Sequence, residues 1–88
     1  METRIAILGI IVEDIEATGQ INELLHGCGQ YIIGRMGLPY RQAGVNIICI
    51  ALDAPQDVIN TLAGRIGKVR GVSAKTIYSR VTRPDKEE

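Results

Sequence analysis

The sequence predicts an α+β domain in which a four-stranded antiparallel sheet carries two helices on one face, in the order β-α-β-β-α-β. Three observations support this prediction. Four short runs are rich in isoleucine and valine, two segments between them carry apolar residues at helical spacing, and the first and third runs are apolar almost throughout. This order is that of the ferredoxin-like sandwich, in which the first and third strands lie in the middle of the sheet.

The two predicted central strands are RIAILGIIVED (4–14) and GVNIICIALD (44–53). Because successive side chains point to opposite faces of a strand, each run supplies apolar side chains to both faces. The first run gives one face Ile5, Ile7 and Ile11, and the other Ala6, Leu8, Ile10 and Val12. The third run gives one face Val45, Ile47, Cys49 and Ala51, and the other Ile48, Ile50 and Leu52.

The two predicted edge strands are QYIIGRM (30–36) and GVSAKTIYSRV (71–81). They carry Arg35, Lys75 and Arg80. Charged side chains are typical of sheet edges, where they discourage pairing with other chains.

The first helix is predicted within DIEATGQINELLHG (14–27), with Asp14 as its cap and Gly27 as its stop. Its apolar stripe is Ala17, Ile21, Leu24 and Cys28, with Leu25 beside it.

The second helix is predicted within APQDVINTLAGRIGKV (54–69). Pro55 suits the first turn, and Gly67 or Gly71 ends the helix. The stripe consists of Val58, Ile59, Leu62 and Ile66.

Two helices on one side leave the other side of the sheet uncovered. A monomer would then expose one complete set of aliphatic side chains from both central strands, which soluble monomers rarely do. The chain also has no Phe or Trp to enlarge a thin core. We therefore expect a homodimer or homotetramer that packs through the open sheet face.

Charge and composition exclude several classes of function. The net charge is zero, and residues 31–83 carry eight basic against two acidic side chains, an excess too modest for a nucleic-acid interface. No apolar stretch approaches the ~20 residues of a membrane span. The two cysteines, in apolar contexts, are typical of reduced core thiols. We expect a cytoplasmic protein that contacts neither nucleic acid nor membrane.

A glycine- and arginine-rich connection joins the second and third strands, in MGLPYRQAG (36–44). Gly37 and Gly44 are expected to bracket a loop, and Gly34 lies in the preceding strand, where glycine allows close backbone approach. The candidate ligand-binding residues are Gly34, Arg35, Gly37, Tyr40 and Arg41. An arginine can clamp a carboxylate or other anion, but a solvated hairpin that binds nothing explains the same residues.

Metal binding and catalysis have little support in the sequence. His26 and Cys28 are weak candidate metal ligands at the end of the first helix, and two ligands leave a zinc site incomplete. The single histidine has no recognisable acid partner and nucleophile to form a triad. We therefore expect no enzyme and assign no metal, and the cofactor, if any, stays unknown.

Three stretches of the chain are typical of one protein family: RIAILGIIVED, YIIGRMGLPYRQAGVNIICIALDAP and RGVSAKTIYSR. On these stretches, residues 3–80 resemble the regulators of the iron-only hydrogenase system. The resemblance implies an ACT-like form of the ferredoxin-like fold, oligomerisation and a regulatory role. It implies one regulatory domain over residues 1–81, and the charged residues 82–88 are expected to form a flexible tail.

The predicted fold also resembles the sensing domain of nickel-responsive repressors, which bind nickel through a His-x-His pair and a cysteine. The matching positions here are Met36-Gly37-Leu38 and about Gly44, so nickel binding is not implied.

Two functional hypotheses follow. In the first, an oligomer binds a small ligand near the hairpin and the subunit interface, and another regulatory or hydrogenase-related protein reads its state. In the second, the protein is a scaffold that binds another protein and no small ligand.

Overall fold

The computed structural model describes residues 2–83. A short 3₁₀ helix precedes α1 and another follows it. In chain order the elements are β1 (Thr3–Val12), a 3₁₀ helix (Ile15–Ala17), α1 (Thr18–His26), a 3₁₀ helix (Gly29–Tyr31), β2 (Ile32–Tyr40), β3 (Val45–Ala54), α2 (Gln56–Gly67) and β4 (Val72–Arg83).

The four strands form one antiparallel sheet in the order β2-β3-β1-β4, as predicted for a ferredoxin-like fold. The aliphatic runs β1 and β3 are the central strands, and the arginine- and lysine-bearing β2 and β4 are the edges. In the centre of the sheet, Leu8 pairs with Ile50 and Ile7 pairs with Ala51. Both faces of this central pair are therefore apolar.

Both helices cover the same face of the sheet, and the predicted division of side chains between the faces is confirmed. The core combines the even-numbered residues of β1 and β3 with one stripe from each helix. Its members are Ala6, Leu8, Ile10, Val12, Ala17, Ile21, Leu25, Ile48, Ile50, Leu52, Ala54, Ile59, Leu62, Ile66 and Val69. The odd-numbered residues of β1 and β3 form the opposite, open face.

The first helix begins later than the sequence predicts. Asp14 is a cap, but its carboxylate accepts from the Glu16 N–H at 3.1 Å and so caps the 3₁₀ helix, while α1 itself starts at Thr18. Leu25 is fully buried and Leu24 only partly, because the helix is rotated so that Leu25 points at the core. Gly27 ends α1, as predicted.

The predicted loop between β2 and β3 is mostly strand. β2 continues to Tyr40, so Gly37 and Pro39 lie inside it, and the connection contains only residues 41–44. The prediction of a loop from Gly37 to Gly44 is therefore wrong. β2 is an edge strand, and an edge tolerates glycine and proline because only one side of it pairs with a neighbour.

The other boundaries move by one to three residues. Pro55 precedes α2 as its N-terminal cap instead of lying within its first turn, and Gly67 is its last residue. β4 runs to Arg83, so residues 82 and 83 are strand and not tail. The rest of the predicted tail, 84–88, lies outside the described residues. No helix within residues 2–83 is long and apolar enough to cross a membrane.

Gly71 joins the connections at the ends of β1 and α2. Its carbonyl accepts from the N–H groups of Glu13 (2.7 Å) and Asp14 (3.3 Å), and its φ is +78°. A Cβ at this position would lie 2.6 Å from the Asp14 Cβ. Gly44 also has a positive φ (+70°), but a Cβ added there would have no atom within 4 Å.

These two glycines provide a matched pair of variants. We expect Gly44→Ala to lower the free energy of unfolding by about 1–2 kcal/mol, the cost of a left-handed alanine. Gly71→Ala adds the clash with Asp14, which raises the loss by about another 1–3 kcal/mol. Urea unfolding at one fixed protein concentration measures both, and equal losses would contradict the role of the Gly71–Asp14 approach.

Candidate functional site

β2 carries four of the five predicted ligand-binding residues, and its alternation divides them between the two faces of the sheet. Arg35 and Gly37 pair with Ile50 and Ile48, both buried beneath the helices, so these two residues lie on the helix side. Gly34 lies on the open face. A small ligand on one side of the sheet therefore reaches only part of the predicted set.

Tyr40 and Arg41 lie at the far end of β2. Tyr40 pairs with Val45, which places it on the open face with Gly34, and its side chain is 50% exposed. Arg41 begins the turn to β3 and is exposed. Ligand binding by any of these five residues stays a prediction.

The open face is apolar on β1, β2 and most of β3, and on β4 it combines Ile77 with the polar Ser73 and Lys75. One row runs Leu38–Ile47–Ile11 across β2, β3 and β1, and a second joins Ile7 to Ile77 of β4. Their side chains are substantially exposed, from 37% at Ile47 to 66% at Ile77. The face is thus a largely aliphatic surface, bordered by Ser73 and Lys75, that nothing in residues 2–83 covers.

Two shallow hollows interrupt the open face at its glycines. The hollow at Gly9 has a volume of about 310 Å³ and lies between Ile11, Ile47 and Lys75. The hollow at Gly34 has about 240 Å³ and is flanked by Ile7 and Met36. A glycine in a strand leaves room for another chain to approach closely.

The helix side holds a polar cleft between α1 and the strands β2 and β3, with a volume of about 190 Å³. Two hydrogen bonds cross it. The Arg35 guanidinium donates to Asn22 Oδ1 (2.5 Å), and Asn46 Nδ2 donates to Thr18 Oγ1 (3.2 Å). Gly37 lies between these bonds in the lining, where a Cβ would have no atom within 4 Å.

The sequence did not single out Thr18, Asn22 or Asn46, which belong to no motif. Thr18 and Asn22 are four residues apart and so share one side of α1. Asn46 is the polar residue near the start of β3, whose other residues are apolar apart from Asp53 near its end. This polar interruption was the signal available, but only the tertiary fold shows that it meets α1.

A groove of about 300 Å³ separates α1 and α2, and it contains Cys28. Leu24, Val58 and Leu62 line it together with Cys28, and Glu23, Asp57 and Arg65 add charge. Cys28 is a half-buried free thiol packed on the core, whereas His26 is exposed at the last residue of α1. Across residues 2–83, no three His, Cys, Asp or Glu side chains come together as a metal site.

A third polar cluster, around Arg4, has a structural role. Its guanidinium donates to Gln56 Oε1 and to the Ser79 carbonyl, each at 3.0 Å, and lies 4.7 Å from the centre of the Tyr78 ring. The Tyr78 hydroxyl in turn donates to Asn60 Oδ1. These contacts tie β1 and β4 to α2.

Comparison with protein-family models shows which family the chain belongs to. A model for TM1266-like proteins, described as "Iron-only hydrogenase system regulator, putative", matches residues 4–76. The chain belongs to this family. The predicted resemblance to regulators of the iron-only hydrogenase system is thereby confirmed.

A solved TM1266-like structure has the same fold. The uncharacterized protein TM1266 from Thermotoga maritima is 38% identical and superposes with a TM-score of 0.83, covering 86% of this chain and 96% of its own. A formyltetrahydrofolate deformylase from Pseudomonas putida matches 83% of this chain with 28% of its own length, at 18% identity and a TM-score of 0.61. That second likeness shows the fold alone. No curated protein matches the chain.

Proposed function

We propose that this TM1266-like protein is a regulatory module of the iron-only hydrogenase system that works as a cytoplasmic homo-oligomer. It binds a small ligand, and a partner protein reads the bound state. The family description supports the regulatory role and the connection with hydrogenase. A regulator of this kind needs no catalytic group of its own.

The observation that carries the proposal is the aliphatic open face. Monomeric proteins rarely leave a contiguous apolar patch of more than a few hundred Å² in water, and larger patches mark interaction sites. A second copy is the occupant that matches this face best. A two-fold axis places each patch against itself, and aliphatic surface is complementary to aliphatic surface. A dimer and a tetramer would both cover the open face in this way.

Both helices pack on the sheet, which supports regulation through another protein. α1 buries Ile21 and Leu25 in the core, and α2 buries Ile59, Leu62 and Ile66. Within residues 2–83 no further helix is available to enter a DNA groove. Any effect of the protein on transcription therefore requires a partner protein.

A scaffold without a small ligand is the second candidate, and β2 favours it. This edge strand is exposed at every residue from Ile33 to Tyr40. An open strand edge can accept an extended segment of another protein as an additional strand. In this case the partner binds the β2 edge regardless of metabolites.

Native mass spectrometry tests the proposal on protein purified without added metal or nickel resin, with denatured spectra as the control. We expect a dimer or tetramer that carries an extra mass, and this mass disappears on denaturation. A clean oligomer without bound mass favours the scaffold. A clean monomer contradicts both candidates, because both depend on the open face being covered.

A further inference from the structure

We infer that the cleft between α1 and β2 is a binding site for a small oxyanion, the carboxylate or phosphate group of a metabolite, held by Arg35, Asn22 and Thr18. This inference rests on the proposed ligand-sensing function and gives it a place and a chemical class. It also defines which of the predicted residues act together. Arg35 and Gly37 belong to the site, whereas Gly34 and Tyr40 lie across the sheet.

The cleft exists because α1 does not pack against the edge strand. α1 has its main helix contact with α2, and β2 remains exposed beside it. The gap is bridged by the two hydrogen bonds from Arg35 and Asn46. Gly37 keeps it open, because any side chain there would extend into the space.

Hydrogen bonding leaves donors, and few acceptors, free in the cleft. Asn22 uses its Oδ1 to accept from Arg35, so its Nδ2 amide remains a donor. Thr18 uses its Oγ1 to accept from Asn46, so its hydroxyl hydrogen remains to be donated. Arg35 has five N–H groups and no acceptor at all. An acceptor-rich ligand such as a carboxylate or phosphate complements this set.

Charge points to the same class of ligand. Arg35 is the one ionisable side chain among the nine residues that line the cleft. Its recorded hydrogen bond is to the neutral Asn22, and no described carboxylate forms an ion pair with it. The cleft therefore carries an uncompensated positive charge, and arginine binds oxyanions through two parallel hydrogen bonds.

The cleft is small. Sites for drug-sized molecules usually measure about 300–1,000 Å³, whereas this cleft has about 190 Å³. It therefore holds one small group, a phosphate or a carboxylate, and the rest of a larger ligand would extend into solvent.

The site lies beside the proposed interface, which gives binding a route to regulation. Leu38 and Ile47 line the cleft and also belong to the Leu38–Ile47–Ile11 row of the open face. A ligand that bridges α1 to β2 fixes the position of this edge strand. Couplings between ligand sites typically change affinity by about 5–150-fold, so the ligand is expected to tighten the oligomer within that range.

Two-dimensional ¹⁵N–¹H NMR of the oligomer tests the inference with sodium phosphate and sodium acetate, against sodium chloride at matched ionic strength. We expect saturable shifts at the side-chain amides of Asn22 and Asn46 and at the Gly37 N–H, with a Kd on the order of millimolar. A response to phosphate alone or to acetate alone assigns the headgroup. Shifts that chloride reproduces in full, or no saturable shift with either oxyanion, overturn the inference.

Three variants separate the cleft from general charge and stability effects. Arg35→Ala is expected to weaken binding at least tenfold, whereas Arg80→Ala removes the same charge from the opposite edge strand and should change binding less than twofold. An added Cβ at Gly37 would meet no atom within 4 Å, so we expect Gly37→Val to fill the cleft and abolish binding while leaving the unfolding midpoint in urea unchanged or higher. Unaltered binding in Arg35→Ala and Gly37→Val would overturn the assignment.

The subunit count of the same samples separates this inference from the proposed function. An oligomer that retains some other mass in native spectra, yet gives no oxyanion shift, refutes the cleft and leaves the regulatory module intact. A monomer that still gives the shifts supports the cleft and refutes the oligomer.

Discussion

Replacing Ile47 with lysine is expected to convert the oligomer into monomers. Ile47 lies in the middle of the open face, between Leu38 and Ile11 on the neighbouring strands. Full burial of an exposed isoleucine contributes about 1.5–3 kcal/mol, but Ile47 is only 37% exposed within the subunit. An interface that contains it twice therefore loses about 1–2 kcal/mol of burial, roughly 5–40-fold in association. The cost of burying a lysine charge in the same place adds to this loss. Sedimentation velocity across a dilution series measures the shift.

The control for this variant is Ile15→Lys. Ile15 is also a surface isoleucine, 61% exposed, but it lies in the 3₁₀ helix before α1 and not on the sheet. We expect it to sediment as the wild type does. Circular dichroism should show both variants folded, since Ile47 lies outside the buried core. An Ile47→Lys protein that keeps the wild-type subunit count would place the interface on another surface.

Truncation of Leu8 to alanine is expected to remove a large part of the stability of the fold. Leu8 is fully buried on the helix side of β1, opposite Ile50. Leucine-to-alanine changes in a core cost about 2–5 kcal/mol because of lost burial and the cavity that remains. A domain of this size has about 4–13 kcal/mol in total. Urea unfolding followed by circular dichroism should therefore show a much lower midpoint.

Ile15→Ala is the control outside both the core and the open face. Ile15 is 61% exposed in the 3₁₀ helix before α1, so its truncation should alter the free energy of unfolding by no more than about 0.5 kcal/mol. Because oligomerisation links stability to concentration, all proteins are compared at one concentration. Similar losses for both variants would mean that the core does not dominate stability.

The sheet could be predicted because hydrophobic alternation specifies both its order and its faces. β1 and β3 are aliphatic on both faces, and this alone places them in the centre. The extent of β2 could not be read in the same way. Gly37 and Pro39 are turn residues in most contexts, and only an edge position makes them compatible with a strand. Local propensity contains no information about which side of a strand is paired.

Only part of the candidate site could be predicted from the sequence. Arg35 and Gly37 stood out because glycines and arginines cluster around the connection between the second and third strands. Their partners Thr18, Asn22 and Asn46 come from two other elements and are ordinary surface residues when considered one at a time. They become a set only when the sheet register and the position of α1 are known. The same register separates Tyr40 from Arg35, although the two are close along the chain.

During synthesis β1 leaves the ribosome first and β4 last, yet the two are neighbours in the sheet. Before β4 emerges, β1 can already pair with β3 and pack beneath α1 and α2, but its other edge lacks a partner. Nascent chains with open, apolar strand edges are prone to aggregate. The fourth strand therefore pairs with the last open edge of β1, and a slow step in translating residues 72–83 would prolong the aggregation-prone state.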